Sequence, residues 1–191
     1  KEAMCQEIDC ILKAHGWEKF VLVSQSYGSV ITTHLLHKPQ IAQKIGPILL
    51  IDPVSFLLHL PDVAYNFICR KPTRANEHQL HYFASKDMGV SHTLFRRFFW
   101  SENILWKEDI RKHHVTLHYF ASMDMGVSHT LFRRFFWSEN ILWKEDIRKH
   151  HVTGNGLDVL WFPELDHGQV FDKKSTRATL VDIIRSYCDR K

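Results

Sequence analysis

A chain of 191 residues with 45% hydrophobic and 24% charged positions carries enough apolar material for one packed domain and lies far from disordered or collagen-like compositions. Lys and Arg outnumber Asp and Glu by 25 to 21, a net charge of +4, and without a recognisable binding motif that excess does not support a nucleic-acid partner. Cys5, Cys10, Cys69 and Cys188 show neither zinc nor redox spacing, and no secretory signal or membrane-length apolar run is present, so free thiols and a cytoplasmic or peripheral membrane location are expected.

Residues 1–19 read as one amphipathic helix, with Ile8, Ile11 and Leu12 apolar against Glu7, Asp9 and Lys13. The run Val21-Leu22-Val23 then breaks into Ser24-Gln25-Ser26-Tyr27-Gly28, and a helical pattern follows. A small residue two places before and two places after a serine is the pattern of a nucleophile elbow, a sharp strand-to-helix turn in which neighbouring backbones crowd. Ser24 stands where that pattern usually has Gly. A Ser-rich strand end with a chance glycine would give the same letters.

Residues 33–44 continue the helix, and Pro47–Pro53 is a short apolar run closed by Asp52-Pro53, the pattern of a strand buried on both faces. Met88–Trp100 predicts a helix with Val90, Leu94, Phe98 and Phe99 on one side and Arg96 and Arg97 on the other, suited to a packed cap helix or to an acyl-binding lid. Leu157–Phe162 is a second buried-strand run. After it come Pro163-Glu164-Leu165-Asp166-His167-Gly168 and a helix over about 174–189.

Residues 80–116 recur at 117–153 with one change, Lys86 against Met123, a period of 37. Copies settled long ago in different surroundings would have diverged, so the near-identity points to a recent duplication or a gene-model error rather than a solenoid, which needs three or more units. The two copies supply 8 of the 14 His, 8 of the 13 Phe and 4 of the 6 Trp, which makes the basic, aromatic character largely one segment counted twice. The pairs His113-His114 and His150-His151 lack the Cys or carboxylate spacing of a metal site, so no metal or cofactor is expected.

With Ser26 in an elbow, a buried strand next, a long insertion, and a loop histidine after the final strand, the chain resembles the C-terminal half of an α/β-hydrolase, most closely fungal α/β-hydrolase domain proteins. The resemblance implies an α/β fold with a mostly parallel sheet of few strands, flanking helices and a helical cap: a core of 1–72 and 154–191, and a cap of 73–153 holding the repeat. It also implies a serine hydrolase acting on carboxylic esters or lipid-like small molecules through a Ser-His-Asp triad. Ser26 would be the nucleophile, His167 the general base and the Tyr27 backbone N–H an oxyanion donor. The alternative for His167 is a loop histidine that caps the following helix.

The family implies further strands before Lys1 and a second oxyanion N–H from a loop after one of them. Without them, Phe20–Val23 would be a bare apolar edge open to self-association, and the alternative function is an inactive hydrolase fragment or scaffold. Its triad acid ends a strand beginning near His-Val-Thr, which neither copy continues. Asp124 takes that place if 115–122 forms a strand. Asp52 is the second candidate, and a turn-initiating Asp-Pro is its alternative role. Asp166 is too near His167 in sequence to orient it, and Asp158 enters its strand at the wrong end.

Overall fold

The uninterrupted apolar run before Asp52 becomes the strand around which the rest is arranged. A computed structural model describes residues 1–73, 75–106, 108–109, 117–121, 142–144, 157–161, 165 and 168–189. Strands β1 (Phe20–Gln25), β2 (Ile45–Ile51), β3 (Leu117–Ala121), β4 (Leu142–Lys144) and β5 (Leu157–Trp161) form one sheet in the order β1-β2-β3-β5-β4. Every pairing in it is parallel.

Alternation along β2 sends Ile48 and Leu50 to one face and Leu49 and Ile51 to the other. All four are at most 3% exposed. The first pair packs with Leu35, Leu36, Phe56, Ile104 and Leu105, the second with Leu180, Ile183 and Tyr187. Burial of each such side chain contributes about 1.5–3 kcal/mol, and a strand covered on both sides has no polar face to show in its sequence. The close approach of β1 is visible at Gly46, where a Cβ would lie 3.2 Å from the Phe20 carbonyl oxygen.

Helix α1 (Glu2–Ala14) buries Cys5 and Leu12 on the first of these faces. It stops five residues short of the Lys19 expected from periodicity. Gly16, at φ 64, closes it: the Gly16 N–H donates to the Lys13 carbonyl and the Trp17 N–H to the Leu12 carbonyl, the paired bonds of a Schellman cap. The helix expected through residue 44 is likewise two, α2 (Gly28–Leu36) and α3 (Pro39–Ala42). Lys38 is pushed out of the helical region by the proline that follows it, and Pro39 opens α3.

After α4 (Pro61–Ile68) come α5 (Ala75–His81), a π-helical turn (Tyr82–Lys86) and α6 (Met88–Arg96). α6 is shorter than the 88–100 helix expected. The chain leaves it at Arg97, Trp100 donates its ring N–H to the Leu94 carbonyl at 3.2 Å, and a 3-10 turn (Trp100–Asn103) delivers Ile104 and Leu105 into the core. Continuing the helix would have kept those two apolar residues out. The corresponding 125–137 of the second copy lies outside the described residues.

The segment 73–153, read from sequence as helical, also supplies β3 and β4 to the sheet. A final helix, α7 (Lys174–Cys188), covers the second face through Leu180, Ile183 and Tyr187. Among the described residues no helix is long and apolar enough to cross a membrane.

Candidate active site

The carboxyl ends of β1 and β2 form a rim, the usual place for a site in a parallel α/β sheet. Ser26 follows β1 with φ 52, a left-handed backbone that costs a non-glycine residue about 1–3 kcal/mol and persists only where the surroundings impose it. Three contacts impose it here. The Ser26 N–H donates to the Ile51 carbonyl at 2.9 Å, extending the β1–β2 ladder one residue past Gln25. Its own carbonyl accepts the Ser29 N–H at 3.0 Å and the Ser29 hydroxyl at 2.7 Å.

The need for small flanking residues is directly visible. A Cβ on Gly28 would come within 3.1 Å of the Ser24 Cβ, tighter than ordinary contact. Ser24 fits where glycine was expected, and its hydroxyl lies 2.9 Å from that of Thr32, one turn into α2. Ser29, fully buried, is a residue that the sequence reading missed. Besides holding the Ser26 carbonyl, its hydroxyl accepts the Val54 and Ser55 N–H groups at 3.0 and 3.1 Å, tying the elbow to the segment after β2. A serine in the first turn of a helix is commonplace, so no sequence signal marked it.

Tyr27 caps the N-terminus of α2, where the helix dipole favours negative charge, and its side chain is 59% exposed. Phe98 approaches it with ring centroids 6.2 Å apart, and Trp100 meets Phe98 edge-on at 5.1 Å. An aromatic wall thus stands beside the elbow.

Asp52, buried to 3% exposure, follows β2 with φ 44. Its Oδ2 accepts the Gly168 N–H at 2.7 Å. From the sequence it is the second candidate for the acid. Asp124, the first choice, and the base His167 lie outside the described residues, as does Asp166. Asp158 stands near the start of β5, paired in register with His118, away from the rim. A cleft of about 280 Å³ lined by Cys5, His34, His37 and Lys38 among others contains none of the elbow residues. Burial raises the Cys5 thiol pKa there and lowers that of His34, whose ring nitrogen meets Asn103 Oδ1 at 2.9 Å.

No protein-family model matches the chain, and no curated protein does. Solved structures do. A carboxylesterase of the ammonia-oxidising thaumarchaeon Nitrososphaera gargenis matches over 100% of this chain and 73% of its own, at 11% identity and a TM-score of 0.55. A serine hydrolase of the polyaromatic-hydrocarbon-degrading bacterium Cycloclasticus zankles matches over 98% and 71%, at 12% identity and 0.56. An α/β-hydrolase from a deep-sea metagenome library of the Medee basin does so over 98% and 71%, at 12% and 0.54. At such identities the likeness establishes architecture, and together with the parallel sheet and its two helical faces it shows that this chain has the α/β-hydrolase fold.

Proposed function

We propose that the chain is a serine hydrolase acting on carboxylic esters or lipid-like small molecules, with Ser26 as nucleophile and His167 as general base. The observation that carries the reading is the left-handed Ser26, locked between Ile51 and Ser29 at the head of α2. A serine hydroxyl is a weak nucleophile at neutral pH, so it needs an adjacent base. His167 takes the Ser26 proton as Oγ bonds to the ester carbonyl carbon. The oxyanion that forms faces the Tyr27 N–H at the positive end of α2. Its collapse expels the alcohol, which receives the proton from His167, and water then hydrolyses the acyl-serine by the same steps. General acid–base catalysis of this kind contributes about 10²–10⁴-fold, and an oxyanion donor about 10²–10³-fold.

In this reading the core of 1–72 and 154–191 carries the nucleophile and the base and the helical part of 73–153 covers them, while 73–153 also supplies β3 and β4 to the sheet. Two carboxylates compete for the acid: Asp124, three residues beyond the end of β3, and Asp52 at the end of β2. The Tyr27, Phe98 and Trp100 rings support an apolar acyl group, and exposed Phe95 and Phe99 support contact with a membrane periphery. The place of β1 at the end of the sheet order supports self-association along that edge.

A fluorophosphonate probe with intact mass measurement tests the chemistry. Folded wild-type chain is expected to gain one adduct, and Ser26→Ala and His167→Ala to gain none. A folded wild-type chain that stays unlabelled would leave a hydrolase-derived scaffold without activity.

A further inference from the structure

The peptide joining Ser26 to Tyr27 has the Ser26 carbonyl at one end and, at the other, the N–H proposed to face the oxyanion. In a planar trans peptide these two groups point in opposite directions, so whatever holds the carbonyl also aims the N–H. Ser29 holds it with two bonds, from its backbone N–H at 3.0 Å and from its side-chain hydroxyl at 2.7 Å. Any residue but proline could make the first. The second requires a hydroxyl.

The direction of that hydroxyl is set by its other partners. A serine oxygen has one donor and two acceptor positions. The Val54 and Ser55 N–H groups, at 3.0 and 3.1 Å, take up both acceptor positions, which leaves the proton for the Ser26 carbonyl. Ser29 is fully buried, so bulk water does not compete for it. The segment that bears the two N–H groups is anchored in turn: the Ser55 carbonyl accepts the Leu105 N–H at 2.9 Å, and Leu105 is fully buried in the core. Constraint therefore passes outward from the core, through Ser55 and the Ser29 hydroxyl, to the peptide after Ser26.

We infer that Ser29 is a positioning residue for the oxyanion: its hydroxyl fixes and polarises the Ser26–Tyr27 peptide, so that the Tyr27 N–H is aimed before an ester arrives. This rests on the hydrolase reading above. A carbonyl that accepts two hydrogen bonds draws electron density from its own amide nitrogen and makes that N–H a stronger donor. A donor already aimed needs no reorganisation as the negative charge develops. Ser29 itself touches neither substrate nor reacting atoms.

Ser29→Ala deletes the hydroxyl and keeps the backbone N–H. Because it also takes the acceptor from Val54 and Ser55, Ser29→Cys, similar in shape and with a weaker donor, is made beside it. Circular dichroism checks that both fold. Labelling serine with carbonyl carbon-13 and tyrosine with nitrogen-15 gives one NMR signal per Ser–Tyr peptide. The chain has two such peptides, Ser26–Tyr27 and Ser186–Tyr187, told apart with Ser186→Ala. A carbonyl carbon that loses a hydrogen bond moves upfield, so the Ser26 signal is expected to do so in both variants, further in Ser29→Ala, while the Ser186 signal stays. The maximal rate of fluorophosphonate labelling is expected to fall in Ser29→Ala by about one to two powers of ten, part of the two to three that a lost oxyanion donor costs. Ser29→Cys is expected to fall less, and the half-saturating probe concentration to change little in either.

A Ser26 signal that does not move in a folded variant would overturn the inference. So would a signal that moves while the maximal labelling rate stays at the wild-type value, the result for a side chain that only stabilises the fold. If Ser29→Ala does not fold, the same two readings on Ser29→Cys decide. The two proposals fail separately. An unlabelled wild type whose Ser26 signal responds to Ser29 rejects the hydrolase and keeps the anchored peptide, and a labelled wild type with an unresponsive signal does the reverse.

Discussion

Leu80–Ala84 and Leu117–Ala121 are the same five residues in the same order, yet the first closes α5 and enters a π turn while the second is β3. The difference is one of neighbours. β3 is flanked by β2 and β5, which supply backbone partners on both sides, whereas the first copy continues helically from residue 75. Tyr and Phe favour strands and Leu and Ala favour helices, so the segment has no strong local preference and its surroundings decide. At the turn after β1 local sequence matters more: the small residues Ser24 and Gly28, four apart, leave room for the crossing that Ile51 and Ser29 then hold.

The largest test of this contrast is proline in the strand copy. Phe120→Pro removes a ladder bond from a strand paired on both sides, and is expected to lower unfolding free energy by about 3 kcal/mol or more in denaturant titration. If the loss is only a few tenths, β3 is not what holds β2 and β5 together. Next in size comes Gly28→Ala, which forces the new methyl against Ser24 Cβ. Its cost should be about 1–3 kcal/mol, and Ser24→Gly should recover most of it, since removing that Cβ removes the clash. A Gly28→Ala loss that Ser24→Gly leaves untouched would mean that the crowding lies elsewhere.

The smallest effect concerns the repeat again. Asp87, the counterpart of Asp124, caps α6 by accepting the Val90 N–H at 2.8 Å. Asp87→Ala should cost about 1 kcal/mol, the usual value of such a cap, without altering fluorophosphonate labelling. A change in labelling would bring the first copy's aspartate into the chemistry and dissolve the distinction between the two.

Local features were legible in the sequence. The tight turn between β1 and α2, the doubly buried β2 and the closing helix α7 each depend on residues adjacent in the chain, and each stands where composition and periodicity put it. Helix ends were read less well, because Gly16 and Pro39 sit inside otherwise helical patterns and end them through backbone conformation rather than hydrophobicity. Ser29 was least visible, because what it does depends on Val54 and Ser55, which only folding brings near. Asp52 was a candidate from its place at a strand end, but its bond to Gly168 was not legible. The strand of 117–121 stood in the sequence only as one of two alternatives, and that of 142–144 not at all, for the related reason that identical letters upstream fold differently.

The bond from the Ser26 amide to the Ile51 carbonyl gives this chain a built-in gauge. In deuterated solvent that amide can exchange only when the carboxyl ends of β1 and β2 part, so its exchange rate measures how often the rim opens. The same residue carries the hydroxyl proposed to react. Its nitrogen would thus keep time for the opening of the rim while its oxygen, through the probe, kept time for the chemistry, and the ratio of the two rates would say whether an acyl group is transferred from the closed rim or in the moments when it is undone.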